Sequence, residues 1–164
     1  MSAEVLIFII GGTLAAATGM LLAALGELVA ERAGVLNLSV EGMMATGAAA
    51  AFGVATLSGS HLLGFAAGAV AAALLSMVFA VLVLFFYAHQ VAAGLAVGIL
   101  GLGVSAFIGK PFEGTTIEKT AKLRIPDLSD LPFLGPALFQ HDVLVYLVIA
   151  LVAAQRLVRF GLRL

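Results

Sequence analysis

Cysteine is absent from the 164 residues, which excludes disulfides, thiolate metal sites and thiol nucleophiles without identifying a compartment. Charge is scarce. Asp, Glu, Lys and Arg make up 10% of the chain, against about 25% in ordinary soluble domains. None of them lies between Gly42 and Gly109. A run of that length cannot be one buried core helix and must comprise several membrane spans of about 20 residues each. The phosphate-cradling pattern GxxxxGK followed by Ser or Thr is missing, so this chain does not hydrolyse ATP by the P-loop route. His61, His89 and His141 lie far apart and none has a partner three or four residues on, which argues against a metal site. Ser39 and Ser105 have no neighbouring base that could activate a hydroxyl. No basic patch suggests nucleic acid, and a net charge of −1 says nothing about partners. The opening Met1-Ser-Ala-Glu4 lacks a positive stretch, so the first apolar segment reads as a span and not as a cleaved signal.

What is present is apolar residue after apolar residue, 63% of the chain, with 19 glycines. The fold class expected is all-α, a polytopic transmembrane helix bundle of about five spans. The spans expected are 5–28, 36–57, 62–88, 91–109 and 143–157. In the first, Gly11-Gly12 and the small residues Ala15, Ala16, Ala17 and Gly19 suit close helix contact. The second ends at the turn-like Ser58-Gly-Ser-His61. His89-Gln90 is the only polar punctuation between the third and fourth, which therefore form a tight helical hairpin or one broken helix. Gly64-Phe-Ala-Ala-Gly68 and Gly94-Leu-Ala-Val-Gly98 match the small-xxx-small pattern that lets helix backbones approach closely in lipid.

The polar exception is residues 26–47, GELVAERAGVLNLSVEGMMATG, which hold Glu27, Glu31, Arg32 and Glu41 together with Asn37 and Ser39. Gly34 can break a helix, and a broken helix is expected near residues 34–42. If Asn37 caps the next helix, its side chain satisfies an orphan amide of the first turn, and Asn37 and Glu41 share a face four residues apart. A charge at mid-bilayer costs about 3 kcal/mol on insertion scales, so Glu41 is read as functional by default. The alternatives are that it is solvated at the interface, bonds freed backbone amides, or pairs with Arg32. Residues 110–142 differ in kind. They hold all four prolines and nine of the seventeen charges and read as an extended extramembrane loop, either a connector or a docking surface. In its second half Leu128, Leu131, Phe133, Leu134, Leu138 and Phe139 suggest packing back on the bundle. The whole of 1–164 reads as one transmembrane domain. Counting Lys and Arg on alternate loops gives four against four, and the Arg156, Arg159, Arg163 cluster tips the reading toward a cytoplasmic C-terminus.

Asn37, Ser39, Glu41 and Gln90 are the candidate substrate-pathway residues. Interrupted segments with hydrogen-bonding groups at membrane depth are what a polar-solute path needs, and Asn and Gln both donate and accept, which suits hydroxyl- or amide-bearing solutes.

Residues 25–44, LGELVAERAGVLNLSVEGMM, resemble the motif of ABC-transporter permeases for nucleosides and simple sugars, within the branched-chain amino acid and ribose permease group. Gln90-Val-Ala-Ala-Gly-Leu-Ala96, residues 125–136 (IPDLSDLPFLGP) and Arg159-Phe-Gly-Leu-Arg-Leu164 resemble further segments of that family in the same order. The resemblance implies the membrane subunit of an importer in the bacterial cytoplasmic membrane. It implies no cofactor in this chain, with ATP bound by a partner ATPase. It also implies a second permease subunit, an extracytoplasmic solute-binding protein and a small polar solute. Two positions depart from the family pattern: His89 stands where Asn is usual, and Gly98 near where an Asn is usual. Family members continue beyond the final motif, so the resemblance further implies the N-terminal part of a longer permease, a fragment or a truncated product. The reading from another class is a small glycine-rich membrane protein that assembles with or regulates a larger complex.

Overall fold

A computed structural model describes residues 3–117 and 143–161. It is built from five α-helices: α1 (Ala3–Arg32), α2 (Val40–Ser58), α3 (His61–Ala80), α4 (Gln90–Gly109) and α5 (Val143–Gly161). Among the described residues there is no strand. The expected helical transmembrane bundle is therefore the architecture observed. Among the described residues four helical stretches are long and apolar enough to cross a membrane: Val5–Arg32, Val40–Ser58, His61–Phe85 and Gln90–Phe112. The fifth expected span falls on α5, of which Val145–Gln155 form an apolar helical stretch among the described residues.

The described residues divide into two compact units, Gly26–Glu118 and Met1–Leu25 with Lys119–Leu164. In the second of these, Val145 and Val148 of α5 are buried. At Gly12 an added β-carbon would meet nothing within 4 Å among the described residues, so the close helix contact expected at the Gly11-Gly12 pair is not seen there among those residues.

The Gly26–Glu118 unit is organised around α2, which packs against both α3 and α4, while α3 and α4 touch each other far less. This corrects the expected tight hairpin of the third and fourth spans. The reason lies in the glycines, which let α2 approach both neighbours to backbone contact. A β-carbon on Gly64 would lie 2.7 Å from the Ala51 carbonyl oxygen, and one on Gly68 2.8 Å from that of Gly47. Both glycines of that small-xxx-small pair thus face α2. The Gly94/Gly98 pair also faces the α2 side: a β-carbon on Gly94 would lie 2.8 Å from the Leu38 amide nitrogen. A β-carbon on Gly101, one turn further on, would lie 2.6 Å from the Gly42 carbonyl oxygen and 2.7 Å from a Leu75 methyl. Lipid offers no hydrophobic drive for helix pairing, so such close approach and its dispersion gain hold the unit together. Between α2 and α4, Thr46 Oγ1 donates to the Gly101 carbonyl at 2.9 Å.

The helix ends follow local chemistry. Gly59, with φ +66, closes α2 and its N–H bonds the Ala55 carbonyl at 2.9 Å. Ser60 opens α3 by accepting from the Leu63 amide, so the turn expected at 58–61 is present. α3 does not stop at a turn residue. It widens into a π-helical segment, Val81–Phe85, in which the Phe86 N–H reaches back to the Val81 carbonyl. Such segments are rare and frequently stand at functional sites. The chain leaves it through Tyr87, a non-glycine residue at φ +53, a conformation that costs about 1 kcal/mol or more and needs support from its surroundings. Beyond α4, Lys110–Phe112 forms one 3₁₀ turn whose Phe112 ring lies edge-on to Phe52 over Gly53. The remainder of the expected 110–142 loop, from residue 118, lies outside the described residues, as do its expected apolar packing residues from Leu128 to Phe139 and the two family-like segments' residues 125–136 and 162–164.

Candidate functional site

The break expected near residues 34–42 is present and runs over residues 33–39, between the end of α1 at Arg32 and the start of α2 at Val40. Glu41 and Gly42 therefore belong to the first turn of α2. α1 ends where Gly34 takes φ +83, the left-handed conformation that glycine adopts without a β-carbon penalty. The Gly34 and Val35 amides still bond α1 carbonyls, those of Glu31 at 3.0 Å and Ala30 at 3.1 Å. From Leu36 onward side chains take over.

Gln90, the first residue of α4, supplies one of them. Its Oε1 accepts from the Leu36 amide at 2.8 Å and its Nε2 donates to the Gly34 carbonyl at 3.4 Å. One primary amide thus pairs with the donor and the acceptor of a single stretch of backbone by neutral chemistry. The next amide, that of Asn37, donates to Glu27 Oε1 at 2.9 Å. Glu27 lies on α1 ten residues earlier and was no candidate in the sequence reading. A carboxylate ten residues before an amide gives no helical-periodicity signal, so only the fold-back after Gly34 reveals the pairing.

Asn37 Oδ1 accepts from the Ser39 amide at 3.0 Å and from the Ser39 hydroxyl. This is an Asx turn, and it corrects the expected cap: Ser39, not Asn37, occupies the residue before α2, and its side chain makes no cap bond. Asn37 and Glu41 consequently do not share a helical face, because Asn37 lies outside the helix. The local reason is that an Asn side chain competes for the amide two residues on, an alternative to helix that it forms readily. The Asn37 Nδ2 group rests 3.7 Å from the Met43 sulfur.

Ser39 is fully buried. Leu38 and Ser39 lie over Gly94 and Gly98 of α4, with the Ser39 Cα at 3.6 Å from where a Gly98 β-carbon would begin. Beneath the break, Leu75, Phe79 and Val83 pack with Ala93 and Val97 of α4, and Val35 and Met43 close against them. The break is thus a polar, hydrogen-bonded strap on an apolar floor. The structure brings Asn37, Ser39 and Gln90 together there. Glu41 stands apart from that network. It is exposed and has no hydrogen-bond or ion-pair partner among the described residues, so the expected alternatives of pairing with Arg32 or bonding freed amides are not observed. As an acidic residue in the first turn of α2 it is favoured by the helix dipole. His89 is exposed at the start of α4, and its carbonyl accepts from the Ala93 amide at 2.9 Å. Among the described residues no group of three or more His, Asp or Glu could hold a metal ion.

Chemically the strap offers neutral hydrogen-bonding groups, and beside it, in the first turn of α2, stands the exposed carboxylate of Glu41. It offers no nucleophile with a base.

The chain is similar to several known proteins. It is 38% identical over 143 residues to a putative glucose ABC transporter permease protein of Haloferax volcanii, covering 85% of this chain and 44% of that protein. It is 33% identical over 162 residues to a guanosine ABC transporter permease protein of Bacillus subtilis, covering 92% of this chain and 50% of that protein. The chain therefore spans about half the length of the curated relatives it matches. No solved structure matches. The family model for the permease component of branched-chain amino acid transport systems matches residues 9–163, nearly the whole chain and the polar break with it. The chain is a multi-pass membrane protein belonging to that permease family.

Proposed function

We propose that this chain is the N-terminal portion of the membrane subunit of an ATP-driven ABC importer for nucleosides or simple sugars. The observation that carries the reading is the hydrogen-bonded helix break at residues 33–39 within otherwise apolar spans. Interrupted helices held inside protein are how transporters present polar groups at membrane depth. In this reading Asn37, Ser39, Glu41 and Gln90 border the solute path. Ser39, Asn37 and Gln90 act by fixing the break, and Glu41 faces the path with its charge. The relatives named for glucose and for guanosine transport support a hydroxyl-rich solute as the substrate class. The importer works with a cytoplasmic ATPase that binds the ATP, a second permease subunit (a copy or a relative) and an extracytoplasmic binding protein. This chain carries no cofactor of its own. The protein lies in the bacterial cytoplasmic membrane with the end after α5 on the cytoplasmic side.

The test is uptake of labelled guanosine, glucose and ribose by membrane vesicles containing the assembled system, with and without the ATPase subunit. Uptake of one of these solutes that stops when the ATPase is omitted is the expected result. Stable co-purification with a larger membrane complex and no uptake under any condition would overturn the reading in favour of an assembly or regulatory subunit.

A further inference from the structure

The strap at residues 33–39 is gripped at two consecutive amides from two different helices. Leu36 is held by Gln90 of α4 and Asn37 by Glu27 of α1. The Gly34 and Val35 amides are held by α1 carbonyls and the Ser39 amide by the Asn37 Asx turn, so among the described residues these two side chains hold the middle amides of the strap. The grip is not a tight one. The Gln90 bonds lie at an exposed position, and the one to the Gly34 carbonyl is long at 3.4 Å. Glu27 gives one oxygen to the Asn37 amide, while its Oε2 is buried with no hydrogen-bond partner. A buried acceptor without a donor costs free energy, so the Glu27 carboxylate is held less firmly than a fully paired one would be. Below the strap the situation is the reverse: Gly42, Gly94 and Gly101 bring the backbones of α2, the strap and α4 to close contact with no such loose end. Motion is therefore cheapest around Leu36 and Asn37 in the middle of the strap, with Leu38, Ser39 and the glycine-packed helices as the fixed frame.

We infer that Glu27 is a positioning residue for translocation: together with Gln90 it forms a clasp on the consecutive amides of Leu36 and Asn37, and opening of this clasp lets the middle of the strap move during transport. The inference rests on the transporter reading given above. What Glu27 contributes is hydrogen-bond acceptance by Oε1 at the Asn37 amide, a task that the amide oxygen of glutamine also performs. Charge at this position is not required for the clasp.

The experiment uses the assembled importer carrying Leu36→Cys as a reporter, in a chain with no other cysteine among these 164 residues. A membrane-impermeant maleimide reads its accessibility, because thiols react in water as thiolates. Glu27→Leu should raise the labelling rate and lower maximal uptake, each by about tenfold, the cost of losing one clasp bond of about 1.4 kcal/mol. The half-saturation constant should not change. Glu27→Gln should keep labelling and uptake within about threefold of the parent, since the acceptor is retained. Labelling and uptake in Glu27→Leu equal to the parent, or Glu27→Gln as impaired as Glu27→Leu, would overturn the clasp. Should Glu27→Leu not insert, Gln90→Ala in the same reporter background decides: raised labelling supports the clasp and parental labelling refutes it. Labelling needs no transport. A parent that is labelled as described but takes up neither nucleoside nor sugar therefore overturns the transporter reading and leaves the clasp standing.

Discussion

Two glycines of the α2–α4 contact face each other, yet their tolerance of a methyl group should be opposite. A β-carbon on Gly42 would stand 2.8 Å from Gly98 Cα and 3.0 Å from the Gly98 carbonyl carbon, against an optimum of about 3.5–4.0 Å for carbon pairs. Both atoms are backbone, so no side chain can turn away, and the helices must separate by roughly 1 Å to restore that optimum. A β-carbon on Gly98 points elsewhere, and its nearest neighbours are the Leu38 carbonyl oxygen at 3.5 Å and Ser39 Cα at 3.6 Å, which is ordinary contact. Overpacking costs about 1–3 kcal/mol. Replacing a mid-helix glycine by alanine returns about 1 kcal/mol of helix propensity, and less in a first turn where Gly42 lies. Gly98→Ala is thus expected to be neutral or stabilising by up to about 1 kcal/mol. Gly42→Ala should fall below it by at least about 1 kcal/mol, and by more where parting the helices also stretches the Thr46–Gly101 bond. The assay is reversible unfolding of the purified protein in mixed micelles by increasing SDS, with both variants beside the parent. Equal stability for the two variants, or Gly98→Ala as the weaker one, would refute the packing described for α2 and α4.

Thr46→Val removes the buried hydroxyl bond to the Gly101 carbonyl at nearly constant volume and should cost about 0.5–1.5 kcal/mol in the same SDS titration; no loss would mean the bond is not formed in the membrane. Glu41→Gln has no partner to lose, so stability should stay within about 0.5 kcal/mol of the parent. Uptake by that variant then reports charge alone: a severe fall supports a charged role in the path, and parental uptake removes Glu41 from it.

Much of the fold was legible because membrane spans are read from length and apolarity, and the uncharged stretch from Gly42 to Gly109 leaves no other solution. The break was legible because Gly34, Asn37 and Ser39 stand as polar and turn-forming residues in an apolar chain. Which helices pair was not. α2, α3 and α4 are apolar on every side, so no amphipathic stripe distinguishes a protein-facing from a lipid-facing surface, and the glycine pairs show that a backbone is approached without showing by which helix. The absence of a polar loop between α3 and α4 suggested a hairpin, but chain proximity lost to the closer backbone approach that α2 makes to each. The Asn37 cap was misplaced by two residues because a cap and an Asx turn use the same side-chain oxygen and differ only in the backbone that follows. Glu27 was invisible as a site residue because its partner is a backbone amide, which carries no sequence signal.

The most direct test of the central claim, that the strap between α1 and α2 serves solute translocation, is uptake by Asn37→Leu and by Gln90→Leu in the assembled importer, with the amount of each protein in the membrane measured alongside. Both leucines keep bulk; Asn37→Leu removes the Asx-turn bonds to Ser39 and Gln90→Leu the bonds to Leu36 and Gly34. The account predicts normal insertion with uptake depressed in each variant by about tenfold or more, the loss of one to two hydrogen bonds. Uptake unchanged in both, at parental protein levels, would contradict it.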